Sequence, residues 1–222
     1  MKPLYFHNPS PATAWARELA IVRGIPVTDD PQQAGAVILP IPTPGEAEIP
    51  PLACPVCGGN RKGITDLLQD ELYLWENARI TAHCALALAM QHAPFILPQG
   101  NILLLGWGRI SQCLAQLLKN LGCKLTVAAR KEKDRAAATA LGYRAIPIEQ
   151  ARKEKFSIVF NTVPAPVLEV SGDTLAIDLA SQPGLLGETV LWARGLPGKM
   201  APKSSGELIL DTVLRIMKEE EA

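Results

Sequence analysis

Asn101-Ile-Leu-Leu-Leu-Gly106-Trp-Gly108-Arg-Ile-Ser111 is the stretch that decides the fold. Ile102 to Leu105 form an apolar run of strand length that stops at Gly-x-Gly-x-x-Ser. Beyond it Leu114, Leu117, Leu118 and Leu121 share one face of a helix over 110–121, and Gly122 supplies a C-terminal stop. Strand, glycine turn and helix in this order open a nucleotide-binding βαβ unit. In such a unit the first glycine permits a tight turn and the second lets the backbone approach a pyrophosphate. A third small residue lets the helix pack on the strand. Gly106, Gly108 and Ser111 take these places, with Trp107, Arg109 and Ile110 between them. The helix N-terminus then turns free N–H groups toward the phosphates. The bland alternative is a βα turn that holds no ligand.

Downstream, strand and helix patterns alternate. Strands are expected over 102–105, 125–129, 143–146, 158–161 and 175–178, with a short one near 192–194. Helices are expected over 110–121, 131–141, 148–153 and 187–191, with a turn near 166–168 and a loop over 194–203. A final amphipathic helix over 204–219 carries Leu208, Ile209, Val213 and Ile216. The alternation predicts a Rossmann-type, doubly wound parallel sheet. A smaller α/β domain precedes it. Its strands are expected over 4–7, 25–28 and 36–41, and a helix over 12–22 presents Trp15, Leu19 and Val22 on one face. A Pro/Gly-rich loop over 43–59 follows, then helices over 64–74 and 77–92; the second carries small residues at Ala85, Ala87 and Ala89. The predicted boundary gives a substrate-side domain over 1–95 and a nucleotide-binding domain over 96–222. The last helix packs back on the first domain.

The 222 residues carry 22 basic and 22 acidic side chains and are 48% hydrophobic. A neutral chain without a basic face argues against a nucleic-acid partner. The apolar runs are too short to span a membrane and the N-terminus has no secretory pattern, so the expected compartment is the cytoplasm. Of five cysteines, Cys84, Cys113 and Cys123 read as packing residues. Cys54-Pro-Val-Cys57 could be half a zinc site or a redox dithiol, but no second pair follows, and the preferred reading is a loop with no metal.

The nucleotide is read at the end of the second strand. Val127-Ala-Ala-Arg130-Lys131 puts a base where an NAD-binding unit has an acid, which favours NADP, with NAD the lesser choice and S-adenosylmethionine an alternative ligand. Three later segments join the cofactor set because each follows a strand: Thr162-Val163-Pro164, Leu179-Ala180-Ser181, and the loop reaching Lys203.

Gly106-Trp-Gly-Arg, Asn161-Thr-Val-Pro164, Ile177-Asp-Leu-Ala-Ser181 and Gly195-Leu-Pro-Gly-Lys-Met-Ala-Pro-Lys-Ser-Ser-Gly206 together resemble the dipicolinate synthase A-subunit family. Ile38-Leu-Pro-Ile-Pro42 and the helix from Asn77 resemble its N-terminal domain, which is shorter and divergent here. The resemblance implies an NADP-dependent oxidoreductase acting on a dihydrodipicolinate-type precursor to give dipicolinate, a sporulation metabolite. It admits as partners a small-molecule substrate, a second copy in a homo-oligomer and a flavoprotein-like B subunit. Asn77 and Thr81 match a substrate-facing family segment whose proline, acid and glycine are Ile80, His83 and Cys84 here. Asn77, Arg79, Thr81 and Lys203 are therefore the substrate candidates, and His83, a side chain able to exchange protons near neutrality, is the catalytic one. Arg79 and His83, four apart, would share a helix face, which could equally be a solvated polar stripe. The alternative function is a non-catalytic nucleotide-binding relative that acts through a partner.

Overall fold

In a computed structural model the structure describes residues 2–45 and 54–220. By contacts the chain forms two compact units, residues 1–80 with 197–222 and residues 81–196.

The first unit is built on a parallel sheet. β1 (Leu4–Phe6) is followed by α1 (Pro11–Val22), β2 (Ala36–Ile38), β3 (Val56–Gly58) and β4 (Thr65–Asp66), and the strands lie in the order β1-β2-β3-β4. Ser10 caps α1 through a capping box with Thr13, and Pro11 opens its first turn. Residues 25–28 contribute only a bridge from Val27 to Leu4. The expected loop over 43–59 contains β3, where Cys57 is buried; its residues 46–53 lie outside the described residues. The expected helix over 64–74 is instead β4, a 3-10 turn capped by the Asp66 carboxylate, and the start of α2 (Glu71–His92). Asp70 breaks the run because its carboxylate accepts from the Tyr73 amide at 2.7 Å and so begins a new helix.

The face of α1 that is buried differs from expectation. Trp15 and Val22 are 45% and 81% exposed, while Ala12, Ala16 and Ala20 are buried. Small side chains win because a second helix, α7 (Pro202–Glu220), lies close against them. A Cβ on Gly206 would stand 2.5 Å from the Ala12 carbonyl oxygen and 2.7 Å from the Ala16 nitrogen. The C-terminal helix does pack on the first unit, as the sequence implied. Ile209, Leu210 and Val213 join Leu4, Phe6, Ile38 and Tyr73 in its core. Ion pairs flank the helix pair, from Arg23 to Glu207 and Asp211 and from Arg215 to Asp70. Burial tends to raise the Asp70 pKa, but the Tyr73 amide and Arg215 outweigh it and hold the carboxyl below its ordinary value.

The second unit is a six-stranded, wholly parallel sheet. Its elements are β5 (Asn101–Leu105), α3 (Arg109–Asn120), β6 (Lys124–Ala128), α4 (Glu132–Ala140), β7 (Arg144–Ile146), α5 (Ile148–Ala151), β8 (Ile158–Asn161), β9 (Leu168–Glu169), β10 (Leu175–Asp178), β11 (Leu185–Leu186) and β12 (Val190–Trp192), before α6 (Leu196–Met200). The strand order is β12-β10-β8-β5-β6-β7, the doubly wound order in which the chain reverses direction beside β5. Both faces of β5 are dry: Ile102 to Leu105 are fully buried, which is why the run is continuously apolar rather than alternating. Residues 187–191, expected as a helix, run into β12, whose Trp192 sits opposite Asp178 of β10. The turn near 166–168 ends in β9, paired with β11 in a two-stranded sheet. The loop over 194–203 contains α6 and the first turn of α7. No described helix is long and apolar enough to cross a membrane.

Gly206→Ala tests the α1–α7 contact. Helix propensity favours alanine by about 1 kcal/mol, whereas overpacking against backbone costs about 1–3 kcal/mol. Urea unfolding is expected to show a net loss of about 0–2 kcal/mol.

Candidate functional site

The site begins at the C-terminal end of β5. Gly106 turns the chain with φ +93°, a conformation that L side chains rarely adopt, and its amide donates to the Ala128 carbonyl at 2.9 Å. A Cβ there would come within 2.5 Å of Thr162 Oγ1 and 3.2 Å of the Val163 side chain, so Gly106 is required by conformation and by space. Gly108 is different. It is the N-cap of α3 in ordinary extended backbone, offers no side chain to cap the helix, and a Cβ on it would meet nothing within 4 Å. The glycine at this place is not demanded by the protein's own packing. The helix it opens is 12 residues long, with its positive end at the turn.

Ser111 stands where a third glycine is usual. It is fully buried and its hydroxyl lies 2.9 Å from Thr162 Oγ1. Thr162 Oγ1 donates its one proton to the Leu105 carbonyl at 2.9 Å, so Ser111 is the donor between the two hydroxyls. The pair fastens the first turn of α3 to the loop after β8. Trp107 is buried and packs edge-on to Tyr143, with ring centroids 5.5 Å apart. Its carbonyl accepts from Gln112 Nε2 at 3.1 Å, which fixes the turn from behind. Arg109 and Ile110 are half-buried.

A second organising centre lies outside the motifs that the sequence offers. Asp178, at the end of β10, is a fully buried carboxylate. One oxygen accepts from Asn161 Nδ2 at 2.9 Å and the Ala180 amide at 3.0 Å. The other accepts from the amides of Gly184 and Leu185 at 2.7 and 2.9 Å. Asn161 also receives the Val163 amide and donates to the Val163 carbonyl. Four donors thus satisfy a buried charge, and in doing so they fold the loops after β8 and β10. A Cβ on Gly184 would overlap Asn161 Nδ2 and the Val163 carbonyl oxygen. The sequence signal is an acid ending an apolar strand, Leu175 to Asp178, with a glycine six residues later.

The expected residues fall into three groups. Gly106, Trp107, Gly108, Arg109, Ile110, Ser111, Thr162, Val163 and Pro164 come together at the carboxyl ends of β5 and β8. Leu179, Ala180 and Ser181 follow β10 on the same sheet edge; the first two are buried and Ser181 is exposed. Arg130 and Lys131 are exposed after β6, and Lys131 is the N-cap of α4. Arg135 caps the Ala129 and Arg130 carbonyls at 2.9 and 2.7 Å, which orders this corner and leaves the Arg130 guanidinium outward.

Of the substrate candidates, Asn77 is half-buried, Thr81 is buried and Lys203 is exposed in the first turn of α7. Arg79 is exposed and bound to Glu76 one turn away, at 2.9 Å from Nε and 2.5 Å from the terminal nitrogen. His83 is exposed on α2. None of the described cysteines forms a disulfide, and no group of three metal-ligating side chains exists among the described residues.

The chain and its fold have counterparts among known proteins. No family model matches the chain. In sequence it is 27% identical over 178 residues to the A subunit of dipicolinate synthase from Bacillus subtilis, covering 73% of this chain and 60% of that protein. Its fold matches the A subunit of dipicolinate synthase from Bacillus halodurans with TM-score 0.80 and 22% identity, covering 97% of each chain. The crystal structure of the Bacillus subtilis counterpart also gives 0.80, at 20% identity over 99% of this chain and 96% of that one. A transhydrogenase from Sinorhizobium meliloti gives 0.69 at 11% identity, over 98% and 94% of the two chains. The resemblance to the dipicolinate synthase A-subunit family that the sequence carries is borne out.

Gly106→Ala and Gly108→Ala separate the two glycines. The first should destabilise the fold by about 2 kcal/mol, from the left-handed backbone and the Thr162 overlap. The second should leave the melting temperature within about a degree of wild type, because its backbone suits any residue and its Cβ has room.

Proposed function

We propose that the chain binds NADP through the Gly106–Ser111 turn and is an oxidoreductase of the dipicolinate synthase A-subunit kind, acting on a dihydrodipicolinate-type precursor to give dipicolinate. The observation that carries this reading is the unfilled space at Gly108. It lies at the uncapped N-terminus of α3, where the strand order reverses. Folding alone does not call for a glycine there, whereas a pyrophosphate approaching the backbone does. The residues present fit such a group: the first-turn amides of α3 face it, and Gly106 and Thr162 set the turn's shape.

When bound, the nicotinamide supplies hydride acceptance. The protein's part is to hold and orient. Arg130, outward at the end of β6 with no side-chain partner among the described residues, would take the ribose 2′-phosphate in its guanidinium fork. Thr162, Val163 and Pro164, with Leu179 to Ser181, would floor the nicotinamide half, held rigid by Asn161 and Asp178. A dihydropyridine that aromatises on losing hydride needs modest acid–base help, and His83 is the candidate that would accept a proton. Asn77, Thr81 and Lys203 would contact the substrate. The compartment is the cytoplasm, and a flavoprotein-like B subunit is the partner.

A second reading has one specific observation behind it. Arg79 is already paired with Glu76. On that reading the protein binds nucleotide and acts through a partner without catalysing the step itself.

Fluorescence titration with NADPH tests the cofactor. Gly108→Ala should abolish measurable binding. Arg130→Ala should weaken NADPH by about tenfold to a hundredfold, as expected for a lost charge-assisted hydrogen bond, and leave NADH unchanged. Equal NADPH affinity in all three proteins would refute the reading. Ultraviolet absorbance of a pyridine dicarboxylate, formed from aspartate semialdehyde and pyruvate with NADP, separates the enzyme from the non-catalytic relative.

A further inference from the structure

Trp192 and Arg194, which are not among the site residues expected from the sequence, stand at the carboxyl end of β12, on the same sheet edge as the glycine turn. Trp192 is locked in place. It sits opposite Asp178 in the β10–β12 ladder, the Ala193 amide donates to the Asp178 carbonyl at 2.8 Å, and the indole Nε1 donates to the Ala180 carbonyl at 3.2 Å. Trp192 is 49% exposed all the same. Arg194 lies over it, with Cζ 5.4 Å from the ring centroid, and makes no hydrogen bond or ion pair among the described residues. A large aromatic face is thus held open beside the loop over 179–181. A cation rests on it whose five donors are unspent.

Position gives this pair a role. With the pyrophosphate at β5 and the 2′-phosphate at Arg130 beyond β6, the adenosine half lies over β6 and β7. The nicotinamide half must then point the other way, over β8 and β10. Strands lie about 4.8 Å apart, so β12 is three steps, or about 14 Å, from β5. That distance places Trp192 and Arg194 past the nicotinamide, where a substrate would present its outer face. A guanidinium held over an indole loses less entropy when it meets a planar carboxylate than a free one does, and it can bind one bidentately.

We propose that Arg194, positioned by Trp192, is the specificity-determining residue that binds a carboxylate of the substrate. The substrate class is a small planar acid with a carboxylate at its rim. This deepens the proposed function and rests on its direction of cofactor binding, but its test is separable.

Calorimetric titration of pyridine-2,6-dicarboxylate into the full chain, with and without saturating NADP, reads the site directly. Arg194→Gln should weaken the dicarboxylate at least tenfold, Arg194→Lys should recover part of that loss, and Trp192→Leu should fall between wild type and Arg194→Gln. NADPH affinity and melting temperature should stay at wild-type values in both Arg194 variants, whereas Trp192→Leu also loses the indole bond to the Ala180 carbonyl. Dicarboxylate affinity unchanged in Arg194→Gln would overturn the proposal. So would absence of dicarboxylate binding to the wild type in either state, or inorganic phosphate competing as strongly as the dicarboxylate. Failure of wild-type NADPH binding sinks the cofactor reading instead. The titration without cofactor then still decides whether Arg194 binds a carboxylate.

Discussion

Thr162 Oγ1 occupies the space that a side chain on Gly106 would need, 2.5 Å from where a Cβ would stand. From there it donates to the Leu105 carbonyl and receives the Ser111 hydroxyl, both at 2.9 Å. Three elements meet at this one hydroxyl: the end of β5, the first turn of α3 and the loop after β8. Because Gly106 lacks a Cβ, the β8 loop can close against the turn. Because Ser111 is small and polar, the helix can follow it in. The turn is therefore shaped by internal contacts, and Gly108 is left facing outward with room beside it. Gly108, which the fold does not restrict, is set between two residues that it does, and the proposed pyrophosphate would be accommodated there.

The Asp178 carboxylate extends the same logic to the next strand. Removing a charge from water costs several kcal/mol unless its oxygens are satisfied. Here Asn161 Nδ2 and three backbone amides satisfy them. The cost of burial is offset only when the loops after β8 and β10 take one conformation. Gly184 is needed for that conformation, since any side chain would strike Asn161 and two carbonyls. The rigidity also carries outward, because the Ala180 carbonyl receives the Trp192 indole.

Much of this was legible in the sequence because burial on two faces leaves a plain mark. The continuous apolar runs at 102–105, 158–161 and 175–178 are strands at those residues. The glycine turn announced itself through its spacing. Other features were hidden for physical reasons. The two-residue strands β9 and β11 are too short to show any period. Residues 187–191 look helical, yet pairing with β10 extends the chain into β12. Trp15 and Val22 look like a core face, but a helix packed against backbone buries small residues, Ala12, Thr13, Ala16 and Ala20. Residues 64–74 read as one helix because the break depends on two aspartates, Asp66 and Asp70, bonding to backbone amides rather than on hydropathy. In the site, the glycines and Ser111 were legible by type. The Thr162 hydroxyl was placed only by its following a strand, and the Asn161–Asp178 pair joins residues 17 apart that no spacing rule connects.

The central claim is that the bare first turn of α3 receives a pyrophosphate. Amide chemical-shift mapping of the isotopically labelled chain during titration with NADP addresses it most directly. The account predicts saturable shifts at the amides of Gly108 to Ser111, the largest along the chain. Titration that leaves those four amides in place, while others move or none do, would contradict it.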